Sequence, residues 1–115
     1  MSDTAHEAPL FARCMALCRW LFERFGAQPT ALLGRTIEGD ALRLLDHVVL
    51  ALKNFEREEN VDGADADLVL LRVHLRLAHE VGLIDERQFV HVTGETTEIG
   101  RQIGGWQRKL AAPRS

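Results

Sequence analysis

The stretch Gln88–Leu110, QFVHVTGETTEIGRQIGGWQRKL, decides the fold. Its Phe89, Val92, Thr96, Ile99, Ile103, Trp106 and Leu110 recur three and four residues apart. That spacing makes one seam on a helix packed lengthwise against others, and leaves Glu95, Glu98, Gln102 and Lys109 facing elsewhere. Only Thr96 interrupts the apolar character of the seam. Gly100 and Gly104 each cost about 1 kcal/mol relative to alanine inside a helix. Close approach of another helix to bare backbone is the usual way that cost is offset.

Composition agrees with a helical protein. The chain of 115 residues is 46% hydrophobic, with three prolines and no tyrosine. That length suits one domain, which can bury roughly two-thirds of its unfolded surface in a single core. Strand patterns are missing, and no apolar run approaches the eighteen or so residues that span a bilayer. The N-terminus has no basic stretch ahead of an apolar one, so the expectation is a cytoplasmic protein with no membrane partner. Cys14 and Cys18, four apart on one predicted helix, are expected to pack as reduced thiols. The formal charge of −3 argues against a globally basic nucleic-acid binder and leaves room for a local basic face.

Taken in order, residues 1–8 are polar and small and are expected to fray. The bundle is expected over 9–110, and 111–115 form a tail. Pro9 suits the first turn of a helix. Leu10, Cys14, Leu17 and Leu21, with Phe11, Cys18, Phe22 and Phe25 beside them, give that helix a wide apolar face, and Gly26 ends it. Trp20 lies off the stripe, at the core margin or in a subunit contact, with the margin favoured because Trp is seldom fully buried. Gln28-Pro29-Thr30 breaks the pattern. A second helix is predicted from about Thr30 to Phe55, with Leu33, Ile37, Ala41, Leu44, Leu45, Val48, Leu52 and Phe55 facing in. Val49 and Leu50 extend its apolar surface to a second side, which another subunit would cover.

Glu56–Asp67 reads as an acidic connection. Its Asn60-Val61-Asp62-Gly63 invites comparison with a calcium loop, but alignment on Gly63 puts Val69 where the bidentate Glu must stand. Asp62 or Asp65 is instead expected to cap a third helix over Asp67–Val81. Leu68, Leu71, Leu75 and Ala78 are its core stripe, with Leu70, Leu77 and Val81 flanking. Arg72 and Arg76, one turn apart, define its polar side with His79 and are the most compact basic feature of the chain. Gly82 ends this helix, and Asp85 caps the last one.

Catalytic and metal chemistry find no footing. A di-iron bundle needs Glu-x-x-His pairs on facing helices, and none occurs. His74 and His79 are five apart, and His47 and His91 have no His or Cys at ligand spacing. There is no Gly-x-Ser-x-Gly, and no glycine loop followed by Lys-Ser or Lys-Thr. The reading is a non-enzyme with no cofactor, no metal and no catalytic residue.

The run Ala64-Asp65-Ala66-Asp67-Leu68, then Leu71-Arg72, Leu75-Arg76, Ile99-Gly100, Ile103-Gly104 and Trp106, resembles the accessory variability determinant of diversity-generating retroelements. It is also similar to the wider family of four-helix-bundle proteins encoded in intervening sequences of 23S ribosomal RNA genes, which Pro29, Leu33-Gly34 and Ile37 match at the start of the second helix. The resemblance covers about residues 10–110. It implies an all-α, antiparallel up-down four-helix bundle assembled into a ring-like homopentamer without catalytic residues. It also implies, for the retroelement branch, a reverse transcriptase as protein partner and nucleic acid bound through a basic surface. Arg72, Arg76, Arg101, Arg108 and Lys109 are the residues that could supply such a surface. Val49, Leu50, Gly100, Gly104 and Trp106 are the candidate contacts between copies. The first expectation is therefore a homo-oligomeric accessory or scaffold for a protein or nucleic-acid partner. The alternative is a nucleic-acid- and reverse-transcriptase-binding accessory of a retroelement.

Overall fold

The computed structural model of the chain describes the backbone of residues 2–26 and 32–112, with side chains from Pro9 onward within those ranges. Four helices follow one another: α1 (Ser2–Phe25), α2 (Leu32–Leu52), α3 (Arg57–Glu80) and α4 (Glu86–Ala111). No strand occurs among the described residues. Each helix packs against its sequence neighbour, and α1 closes on α4, so the four form an up-and-down bundle with α1 diagonal to α3 and α2 diagonal to α4. The bundle is a rod of 51 × 20 × 19 Å.

The seam on α4 forms as its spacing requires. Val92, Thr96, Ile99, Ile103 and Trp106 are buried, while Phe89 and Leu110 pack half-buried at its ends. Thr96 is tolerated there because its hydroxyl donates to the Val92 carbonyl at 2.8 Å, which satisfies it inside its own helix. Facing the seam are Leu10, Cys14, Leu17 and Leu21 of α1, Ile37, Leu44 and Val48 of α2, and Leu68, Leu71 and Leu75 of α3. Gly100 gains the close approach that its cost in a helix calls for, since a Cβ there would lie 3.2 Å from Leu68 Cδ2. Trp20 is half-buried at the core margin, tilted against His91 with ring centroids 5.2 Å apart.

Three boundaries differ from the sequence reading. Pro9 stands inside α1, not in its first turn, so one backbone hydrogen bond is missing there and the helix continues through it. Residues 28–30 and the tail from 113 lie outside the described residues, so the Pro29 break and the start of α2 at Thr30 are not described. The second helix stops at Leu52, and Phe55, expected to face in, is 59% exposed. Asn54 (φ 61°) and Glu56 (φ 40°) turn the chain, and Phe55 N–H closes on the Leu50 carbonyl at 3.0 Å.

The largest difference follows at once. Residues 57–66, read as a connection, are the first turns of α3, so Asp62 and Asp65 lie within the helix instead of capping it. Glu58 and Glu59 occupy its positive end, and Asn60 Nδ2 donates to the Phe55 carbonyl at 2.7 Å, tying the turn down. Gly63, within the stretch read as a connection, is helical, and the His47 ring occupies the place a side chain would take: a Cβ at 63 would come within 2.7 Å of His47 Nε2. At the other end the reading holds. Gly82 adopts φ 80°, and Asp85 and Gln88 form a reciprocal capping box with two bonds of 2.8 Å.

Ile103→Asp should prevent folding, because it places an unpaired charge in the fully buried seam, a cost of several kcal/mol against a total stability of about 5–15 kcal/mol. Val90→Ala, at an exposed position of the same helix, should leave stability within about 0.5 kcal/mol of the parent. Urea titration followed by circular dichroism checks both, and equal midpoints would contradict this placement of the seam.

Candidate interaction surfaces

The two arginines of α3 stand one turn apart beside a groove. Arg72 and Arg76 are exposed and border a groove of about 270 Å³ between α3 and α4, with Val73, Leu75, Phe89, Thr93 and Thr96 as its other walls. Arg76 is paired to Glu80 at 3.3 Å across one turn, whereas Arg72 makes no ion pair among the described residues. The other predicted basic residues lie elsewhere. Arg101 and Lys109 line a cleft of about 390 Å³ between the start of α1 and the end of α4, together with Pro9, Leu10, Gln102, Gly105 and Trp106. Arg108 is exposed near the end of α4, its guanidinium over Gly104 and Gly105. The five residues therefore form two separate groups.

Arg101 is largely neutralised in place. Its guanidinium holds both carboxylate oxygens of Glu98, at 3.0 and 2.5 Å, and Gln102 adds a third bond at 2.9 Å. The bonds from Arg101 and Gln102 stabilise the charged carboxylate and bring the Glu98 pKa down to about 2. A depressed carboxyl contributes stability that is fully present above its unfolded pKa near 4.5 and is lost as pH falls toward 2.

The predicted inter-copy residues are placed unevenly. Leu50 is exposed and Val49 half-buried on the outside of α2. Trp106 is only 7% exposed and packs into its own bundle, with the Arg57 guanidinium 5.8 Å above its ring and an indole N–H that has no hydrogen-bond partner. Gly100 serves the contact with Leu68. Among the described residues Gly104 is approached only by Arg108 of its own helix.

Two features escaped the sequence reading. The first is an apolar face on α3. Leu70, Leu77 and Val81, expected to flank the core, are exposed together with Val69 and Val73, at 45–64%. Spaced one turn apart, they form a continuous outer stripe of large hydrophobic side chains, more than a solitary bundle needs.

The second is a polar lock between α2 and α3. Asp40, 1% exposed, accepts from His74 Nδ1 and from Arg43, each at 2.5 Å. Asp67, also buried, accepts from His47 Nδ1 at 2.5 Å, with Arg43 Nε 3.9 Å from its other oxygen. Each helix thus contributes one Asp and one His seven residues apart, and antiparallel pairing crosses them. Arg43 lies between the two carboxylates. Both thiols, by contrast, are sealed in: burial and the neighbouring Cys18 push Cys14 up to about 12, and burial, with Asp46 adding to it, pushes Cys18 up. Among the described residues no group of three or more His, Cys, Asp or Glu could hold a metal ion, and no helix is long and apolar enough to cross a membrane.

Gly63→Ala should push the His47 ring off Asp67 and destabilise the protein by about 1–3 kcal/mol, the cost of a buried acceptor left without its partner. In a Gly63→Ala background, Asp67→Asn should cost less than it does alone, and chemical denaturation of the four proteins measures that coupling. For the exposed pair, a carboxyl NMR titration should give Glu98 a midpoint near 2 that returns toward 4.5 in Arg101→Ala.

Comparison with known proteins completes the description of these surfaces. No curated protein and no solved structure matches the chain. A model of the family described as bAvd-like matches residues 13–110, which takes in the core of all four helices, the α2–α3 lock and the α3 face. With that match the resemblance read from Leu71-Arg72, Leu75-Arg76 and the α4 seam is borne out, and the chain belongs to the bAvd-like family.

Proposed function

We propose that the protein is a non-catalytic, cytoplasmic accessory that works as a homo-oligomer, serving as a scaffold for a protein or nucleic-acid partner. The observation that carries this reading is the stripe Val69, Leu70, Val73, Leu77 and Val81. A stripe of that kind on a lone bundle would expose apolar surface to water along much of α3, and association removes it. Leu50 and Val49 add a second apolar area on α2, and among the described residues no other helix covers the bare backbone of Gly104. A ring of five copies is the assembly the family resemblance implies, and a reverse transcriptase is the protein partner implied with it.

A second reading, an accessory that itself binds nucleic acid, is favoured by one observation. Arg72, without an ion-pair partner among the described residues, and Arg76 stand together at the mouth of an open groove. Repeated around an oligomer, that pair would meet a polyanion several times over. The overall charge opposes it, since five copies at −3 each would carry −15. At a screening length of about 10 Å in 0.1 M salt, that field repels phosphate before local contacts form.

Light scattering at micromolar concentration should give a multiple of 12.9 kDa, with five copies the expected value. A mass near 12.9 kDa would overturn the oligomer reading. Titration of labelled single- and double-stranded DNA and RNA should show weak binding or none at moderate salt. Sub-micromolar binding there, lost in Arg72→Ala/Arg76→Ala, would replace the first reading with the second.

A further inference from the structure

The cleft between the start of α1 and the end of α4 owes its room to a missing side chain. Arg101, Gly105 and Lys109 follow one another by single turns along its α4 wall, about 12 Å from first to last, and Pro9 and Leu10 of α1 form the wall opposite. A glycine inside a helix costs stability relative to alanine. At Gly100 and Gly63 the space so left is taken by Leu68 and by the His47 ring. Gly105 has no such occupant: among the described residues, a Cβ there would meet only the Arg108 guanidinium, at 3.7 Å. What remains is a cleft of about 390 Å³, within the size range of small-molecule sites, which helical bundles form between their helices.

The polar groups of this cleft are donors in search of an acceptor. Trp106, 7% exposed, forms its inner wall, and the buried indole N–H has no hydrogen-bond partner among the described residues. A buried donor left unpaired forfeits the bond it made with water. Arg101 gives Nε and Nη2 to Glu98 and keeps the two N–H groups of Nη1. Lys109 adds a second positive charge, and Arg57 a third, 5.8 Å above the Trp106 ring. No acid lines the cleft among the described residues. Of the acids nearby on α4, Glu98 is held by Arg101 and Gln102, and Glu95 meets Arg13 at 4.0 Å. Glu58 and Asp62 border a different pocket, beside Gln107.

We propose that this cleft binds a small aromatic carboxylate, its flat apolar body over Gly105 between Leu10 and Trp106, its oxygens accepting from the Trp106 indole N–H and facing the positive charge of Arg101 and Lys109. The ring displaces water from Pro9 and Leu10, and the carboxylate supplies the acceptor that the indole lacks. The site needs neither the oligomer nor nucleic acid, so it stands apart from both readings of the function.

The test is a titration of the full-length protein with 2-naphthoate, followed by NMR of the indole N–H signals of Trp106 and Trp20, which a Trp20→Phe variant tells apart. Saturable binding of one molecule per chain should move the Trp106 signal and leave that of Trp20 in place. The alcohol 2-naphthalenemethanol, with the same ring and no charge, should bind about tenfold more weakly or less. Gly105→Leu, which fills the cleft, should melt no lower than the parent and lose at least about tenfold in affinity. Lys109→Gln should weaken binding, and Asp3→Asn with Glu7→Gln, which removes the acids that precede Pro9, should not. A Trp106 signal that stays fixed, equal affinity for the uncharged alcohol, or binding untouched by Gly105→Leu would each overturn the proposal. So would a Gly105→Leu variant that changes the mass of the protein in solution, since the cleft would then be filled by another copy of the chain.

Discussion

The crossed Asp–His pairs between α2 and α3 constrain the bundle more tightly than any apolar contact does. Leu, Ile and Val side chains tolerate sliding of one helix along another by a fraction of a turn, because their contacts are non-directional. A carboxylate buried to 1% does not, since it must keep its donors or bear the full cost of desolvation. Asp40 needs His74 and Arg43; Asp67 needs His47. Satisfying both ends at once permits a single antiparallel register for α2 on α3, and that register sets the rest. It places Gly63 under the His47 ring, and it turns Val69, Val73 and Leu77 outward by turning Leu68, Leu71 and Leu75 inward.

The lock also shows how polar residues shape an interior without supplying much net stability. Replacing a buried ion pair by matched apolar side chains is often neutral or better, whereas removing one partner is costly. A purely apolar α2–α3 seam would hold, but several registers would compete within it. Arg43, half out in solvent and within reach of both acids, keeps two buried negative charges from opposing each other across the same seam.

Much of the fold was legible because its signals are local. The α4 seam shows in residue spacing, its start in Asp85 and Gln88, and the end of α3 in Gly82, where backbone angles favour glycine. What stayed hidden depended on another segment. The stretch around Gly63 reads as a connection, with Asp62 or Asp65 as the cap after it, until one knows that a ring from α2 occupies the place of the glycine's side chain. Leu70, Leu77 and Val81 read as flanks of the core because residue type does not say which sides of a helix are covered. The lock left a mark in the sequence, an Asp and a His seven apart at 40 and 47 and again at 67 and 74. Such a repeat gains meaning only when the two helices are known to run in opposite directions. Of the candidate site, the Arg72–Arg76 pair was visible as a one-turn spacing, but its separation from Arg101 and Lys109 was not, because that follows from where the ends of α1 and α4 meet.

Among the described residues, contact between α1 and α4 is the thinnest of the four helix seams, with Arg13 4.0 Å from Glu95 and Trp20 tilted on His91 among its members. Every other seam joins helices consecutive along the chain. The bundle can therefore be assembled by adding hairpins in turn, with α2 and α3 as the earliest partners and the meeting of first and last helix as the final event. Run backwards, the same order makes that seam the first to open, so backbone amides of α1 should exchange with solvent sooner than those of α2 and α3. A partner reaching the interior of the bundle would find its way in between the chain's two terminal helices.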